Sequence, residues 1–194
     1  MPKINGKQLV ESIQEFNASI PWRSLTASMM LLDSHDTARF RTVVLGDKKA
    51  HASAMTMMLT YPGVPSIFAG DEIGLEGSWG EDARRTMNWD DRSGWDFEFM
   101  DEVKKLVTLR RTQDALISGG LRWVKAEDDY VLYLRESKKQ SILVLVSRGA
   151  INTTIDLTQY GYSVSKVLYG ESATGSKFAI KSKEATHAIW EVTR

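Results

Sequence analysis

Apolar residues Leu9, Ile13 and Phe16 recur at spacings of four and three, which predicts a short amphipathic helix over residues 8–18 that ends before Pro21. Residues 28–32 form a brief apolar run between polar neighbours, the pattern of a strand buried on both faces of a parallel sheet. Residues 47–61 read as the next helix, with Asp47 as N-cap and Ala50, Ala54, Met57, Met58 and Tyr61 on its inner face. Pro62-Gly63 stops it. Residues 64–70 follow as a second buried strand whose proline lies near the start, where a missing N–H costs least. A long loop then runs from residue 71 to about 96. Residues 97–116 make a third helix that turns Phe99, Val103, Leu106, Val107 and Leu109 inward.

After Ser118-Gly119-Gly120 the period changes. Short β segments are predicted at 121–126, 130–135, 141–147, 153–157, 163–169 and 186–192, with near-continuous apolar character at 141–147, as for a central strand. An antiparallel β-sandwich of about six to eight strands fits this half. The boundary falls near residues 117–120, which divides the chain into an α/β segment, 1–118, and an all-β segment, 119–194. No internal repeat is visible. Strand–helix–strand–helix with short connections belongs to a parallel sheet, yet two strands can neither bury both faces nor close a barrel. In a complete (β/α)8 barrel the working residues follow the C-terminal ends of the strands. Those following Leu32 and Ala69 are therefore the ones to read for chemistry.

Composition narrows the partners. The 194 residues are 42% hydrophobic, enough for one ordinary domain or two small ones, and 25 basic residues balance 25 acidic ones without a block of like charge. No nucleic-acid or other polyanionic partner is implied. With no cysteine, neither disulfides nor thiolate metal sites are available, and His35, His51 and His187 stand in none of the usual ligand spacings. Neither a metal nor a cofactor is expected. No apolar run reaches the roughly 20 residues of a membrane-spanning helix, and the first residues carry no apolar signal core, so a cytoplasmic protein is expected.

The first strand is followed by Leu31-Leu32-Asp33-Ser34-His35-Asp36-Thr37-Ala38-Arg39-Phe40. Around the second stand Gly63-Val64-Pro65-Ser66-Ile67-Phe68-Ala69-Gly70-Asp71-Glu72-Ile73-Gly74 and then Ala83-Arg84-Arg85-Thr86-Met87-Asn88-Trp89-Asp90. Together these resemble glycoside hydrolase family 13, the α-amylase family, in its neopullulanase, cyclomaltodextrinase and oligo-1,6-glucosidase branch. The motifs are (Asn/Ser)-His-Asp after barrel strand 7, Gly-x-Pro-x-(Ile/Leu)-x-x-Gly-Asp-Glu-(Ile/Leu)-Gly on strand 8, and Cys-Arg-Arg-Pro-Met-x-Trp-Asp beyond it. Three motifs in the right order and spacing make the resemblance specific, and the following sandwich extends it over essentially the whole chain.

The resemblance implies the last two strand–helix units of a (β/α)8 barrel followed by the family's C-terminal β-sandwich. It also implies an α-glucan oligosaccharide as substrate, cleaved or transferred at α-1,4 or α-1,6 bonds. Retaining glycosidases pass through an oxocarbenium-like transition state, in which hydrogen bonds to ring hydroxyls strengthen. By resemblance, Asp36 is the carboxylate that grips those hydroxyls, His35 donates to the same sugar, and Arg84 holds it from the loop beyond. This loop departs from the family pattern: Gly80 replaces a frequent acidic residue and Ala83 the cysteine, which leaves Trp79 as an alternative stacking face. The family's nucleophile, an aspartate in Gly-x-Arg-x-Asp, and its acid/base glutamate have no matching context in these residues. The isolated chain is therefore expected to be inactive, with a barrel fragment or a second copy as its partner. A non-catalytic carbohydrate-binding or assembly module is the alternative.

Plainer readings exist for the other conspicuous residues. Adjacent Ser34, His35 and Asp36 cannot form a hydrolase relay, because neighbours in extended chain point to opposite faces. Asp71 and Glu72 read as loop ties, Met55, Met57 and Met58 as helix packing, and Trp79, Trp89 and Trp95 as either sugar contacts or loop core.

Overall fold

A computed structural model describes residues 4–194; the first three residues of the 1–118 segment lie outside the described residues. Helix α1 (Gly6–Ala18) begins at a capping box: Asn5 Oδ1 accepts from Gln8 N at 2.8 Å, and Gln8 Oε1 accepts from Asn5 N at 2.9 Å. A short α2 (Trp22–Ala27) leads from Pro21 into β1 (Met29–Met30). After α3 (Phe40–Val43) comes α4 (Lys48–Thr60), where Asp47 caps by accepting from Ala50 N at 3.0 Å. Strand β2 (Val64–Pro65) then pairs parallel with β1, through Val64 N to Ser28 O and Ser66 N to Met30 O, both 2.8 Å.

Both expected strands are shorter than their apolar runs, and neither is buried on both faces. Met29, Leu31 and Val64 are exposed, since nothing among the described residues packs beyond this two-stranded pair. The inner face expected for α4 is also rotated. Ala52, Met55, Met58 and Leu59 are the buried set, packed towards α5 (Phe97–Thr112), whereas Ala54 and Met57 line an open apolar groove. The expected single helix over 97–116 is two, because Gln113 takes an extended conformation between α5 and α6 (Asp114–Ser118). Gln140 holds that break: its amide donates to Gln113 Oε1 at 2.6 Å and its Oε1 accepts from Ala115 N at 3.2 Å. The long loop contains two 3₁₀ turns, Asp71–Ile73 and Gly80–Arg84.

Helix gives way to strand at Gly119–Gly120, where β3 (Gly120–Ala126) begins. With β4 (Tyr130–Glu136), β5 (Ser141–Ser147), β7 (Ser163–Gly170) and β9 (His187–Thr193) it forms an antiparallel sheet of order β3-β4-β5-β9-β7. A two-stranded sheet of β6 (Ile151–Asp156) and β8 (Lys177–Ser182) covers one face of it, and the helices cover the other. Successive side chains of a strand point to opposite faces, and here both faces are cores. Val131, Tyr133, Ile142 and Val144 meet the helices, while Leu132, Leu134, Leu143 and Leu145 meet β6 and β8. That double burial explains why residues 141–147 read as continuously apolar. No helix among the described residues is long and apolar enough to cross a membrane.

Candidate functional site

The segment after β1 is shaped by its own side chains. Thr37 N donates to Ser34 O at 3.1 Å, Thr37 Oγ1 accepts from Ser34 N at 3.0 Å, and Asp36 N donates to Ser34 Oγ at 3.2 Å. This tight hydroxyl-lined turn directs His35 and Asp36 outward, leaving their side chains 65% and 69% exposed with His35 Nε2 3.3 Å from Asp36 Oδ1. From the other loop Arg84 reaches across: Nε donates to His35 O at 3.0 Å, and Nη2 lies 3.5 Å from Asp36 Oδ1. Its Nη1 donates to Glu81 Oε1 at 2.9 Å. His35, Asp36 and Arg84 therefore stand together on one rim, and Trp79, 74% exposed, begins the turn that carries Arg84.

Asp82 shapes that turn. It accepts from Ser78 N at 2.6 Å, from the Ser78 hydroxyl at 2.7 Å and from Arg85, and these bonds draw its carboxyl down to about 2. Glu81 did not stand out in the sequence. Its one signal was a position three before Arg84 in a helical turn.

Beneath the rim lies a buried charge cluster. Arg39 is 1% exposed, and its guanidinium sits 3.7 Å from the centre of the Phe68 ring. Its Nη1 donates to Asp71 Oδ1 at 2.9 Å and its Nε to Ala83 O at 2.8 Å, while its backbone N donates to Gly77 O at 2.9 Å. Asp71 is thus a loop tie, paired with a residue 32 positions earlier. Glu72 is another, accepting from Gly70 N at 2.8 Å. Burial pushes the Asp71 carboxyl up to about 8, with the hydrogen bond and charge of Asp33 adding to the shift and Arg39 opposing it. Asp33, also buried, accepts from Phe40 N at 2.5 Å. Neither Asp33 nor Arg39 stood out by spacing, because what joins them to Asp71 is tertiary. The other tryptophans separate: Trp89 is exposed, while Trp95 packs edge-on against it and beside Phe97.

The chain is similar to known proteins along most of its length. The alpha amylase catalytic domain family matches residues 1–141, past the helix-to-strand junction and through the β3–β4 hairpin to the first residue of β5. A cyclomaltodextrinase of Bacillus sp is 34% identical over 152 residues, which cover 77% of this chain and 26% of that protein. Neopullulanase 2 of Thermoactinomyces vulgaris is 37% identical over 130 residues, 64% of this chain and 22% of that protein. The chain spans about a quarter of the length of the curated relatives it matches. Among solved structures, the native form of the Nostoc punctiforme debranching enzyme superposes with a TM-score of 0.86 at 25% identity, over 98% of this chain and 41% of that one.

Proposed function

Because residues 1–141 match its catalytic domain, the chain belongs to the α-amylase family, and from that premise we propose that it carries the sugar-holding side of an α-glucan-acting active site. In this reading residues 1–118 are the last two strand–helix units of a (β/α)8 barrel, and residues 119–194 are the β-sandwich behind it. The observation that carries the reading is the contact of Arg84 with both the His35 carbonyl and the Asp36 carboxylate, which joins two of the family's motifs at one rim. Asp36 accepts from hydroxyls of the sugar at the cleavage point and stabilises positive charge as the ring flattens. His35 donates to the same ring, Arg84 sets the carboxylate's orientation, and Trp79 offers a stacking face.

Cleavage with retention needs a nucleophile and an acid/base about 5–5.5 Å apart across the bond. In this reading both come from polypeptide outside residues 1–194, docked on the apolar groove between α1 and β1. The test is turnover of maltodextrin. The chain alone should give none, and a barrel portion supplying Gly-x-Arg-x-Asp and the acid/base glutamate should restore activity that Asp36→Asn abolishes while association persists. Turnover by the 194-residue chain alone, lost on Asp36→Asn, overturns the assignment.

A second reading, glucan binding without cleavage, draws on the exposed faces of Trp79 and Trp89, 74% and 62% exposed. Retardation of the chain in an amylopectin gel, relieved by Trp79→Ala, would support it; unretarded migration would remove it.

A further inference from the structure

We propose that Asp33 and Asp71 share one buried proton, and that the neutral cluster so formed makes Arg39 the positioning residue that locks the Arg84 turn against the His35–Asp36 turn. The proposal rests on the sugar-holding reading above for its consequence, though not for its evidence.

Asp33, Asp71 and Arg39 are 4%, 3% and 1% exposed, so two carboxylates face a single cation where water cannot screen them. Like-charged carboxyls in one low-dielectric site cannot both ionise, so one keeps its proton. The hydrogen-bond count reaches the same answer. Asp33 Oδ2 is occupied by Phe40 N, but Asp33 Oδ1 is buried without a donor. A buried carboxylate oxygen left without a donor is costly. Asp71 has one oxygen on Arg39, and Asp33 is the neighbouring carboxyl that acts on it. Protonated on its other oxygen, Asp71 becomes the donor that Asp33 Oδ1 lacks. The charged groups acting on Asp71 are Asp33 and Arg39, and neighbouring Glu72 turns back to Gly70 N.

Arg39 spends its donors on both loops, on Asp71 after β2 and on the carbonyl of Ala83, one residue before Arg84. Loss of the shared proton leaves two negative charges beside it. The pair must then separate, and either the Phe40 N–Asp33 bond or the Arg39–Asp71 bond gives way. Both routes loosen the frame that presents Arg84 to Asp36, so the rim should be ordered at low and neutral pH and slacken as the proton leaves.

The experiment is a carboxyl-carbon NMR titration of the folded chain between about pH 4 and pH 9, paired with amide-exchange protection factors for residues 78–85. One of the two carbons should titrate above about pH 6, clear of the ordinary carboxylate range, and protection of 78–85 should fall over the same interval while that of β5 and β9 holds. Asp71→Asn keeps a donor towards Asp33 and an acceptor for Arg39, so it should fold, abolish the high titration and make the protection independent of pH. Asp33→Asn should return Asp71 to the ordinary range or below it, facing Arg39 alone. Both carbons fully ionised by about pH 5 in the unaltered chain would overturn the proposal, and that measurement decides even if both variants fail to fold. No sugar or turnover enters these readouts. A shared proton without any Asp36-dependent activity would sink the sugar-holding reading alone.

Discussion

His51 shows how a single side chain can set a pH limit without touching the rim. Its Nδ1 accepts from Arg41 Nε at 3.1 Å, and since a guanidinium only donates, the ring proton must sit on Nε2. A second proton on Nδ1 would point at that cation, inside a fully buried site where the ring packs tilted against Phe99 at 4.4 Å. Burial first and Arg41 second bring the ring down to about 3, against Asp96. The folded state thus refuses a proton that the unfolded chain accepts below its ordinary 6.5, so this group's share of stability is whole above 6.5 and is lost as pH falls towards 3. Asp71 has the opposite sign. Its raised carboxyl holds a proton in the fold, so its share is whole below about 4 and is lost as pH rises through about 8. Each slope is at most about 1.4 kcal/mol per pH unit, and between about 4 and 6.5 the two oppose. Urea unfolding of Asp71→Asn should therefore show a steeper loss on acidification than the unaltered chain below pH 6.5, and equal slopes would refute the buried-proton account. Imidazole carbon shifts should report His51 still neutral at about pH 5. At this scale His35, Asp36 and Arg84 were legible as motif members, because adjacency and strand ends are written in the order of residues. The Asp33–Arg39–Asp71 cluster was not. Nothing local marks an ion pair that forms only when two loops fold onto one another.

Between elements, Arg135 of β4 does the joining. It is 1% exposed, and its guanidinium donates to Gly119 O at 2.8 Å, to Leu116 O and Gly120 O at 3.2 Å, and to Thr60 O. These carbonyls belong to the C-terminal ends of α4 and α6 and to the start of β3, the groups that helix ends leave unpaired. Burial lowers the guanidinium to about 10, and it stays charged at neutral pH. Arg135→Met should cost roughly 3–5 kcal/mol, because buried acceptors lose their donors together, and Arg135→Lys should recover little, since one ammonium cannot span a planar fork of sites. Thermal and urea unfolding check both; a loss below about 1 kcal/mol for Arg135→Met would mean that water replaces the guanidinium. Sequence periodicity found α1, α4, α5 and six of the seven strands of the β half, because each buries a face at its own period. It missed β8, where Lys177 and Lys181 flank the inward Phe178 and Ile180 and read as surface. The break at Gln113 was invisible too, since Gln140 supports it from 27 residues away.

Across the whole molecule the two ends of the fold differ in how completely they bury what they present. The five-stranded sheet is covered on both faces, whereas the parallel pair of β1 and β2 is not. Phe16, Met29 and Leu31 are 59%, 64% and 40% exposed along an open groove lined by Leu9, Ile13, Met30, Leu32 and Met57, and Val64, paired with Met29 on β2, is 53% exposed. A contiguous apolar surface bordered by unpaired strand edges is a site for association. This much is legible in the order of residues, since two apolar runs of parallel-sheet character need neighbours that the order of elements does not supply. That order did not indicate that the strands would shrink to two residues each, because strand length here depends on partners for hydrogen bonds. In a solution of this chain alone the available cover is a second copy. Light scattering should therefore report a mass that rises with concentration, and the double variant Met29→Lys, Val64→Lys should return it to the monomer value while leaving the far-ultraviolet circular dichroism unchanged. On the proposed reading, a barrel portion that docks in the groove should have the same effect as the lysines. A chain that stays monomeric across the whole concentration range would refute self-association through this groove.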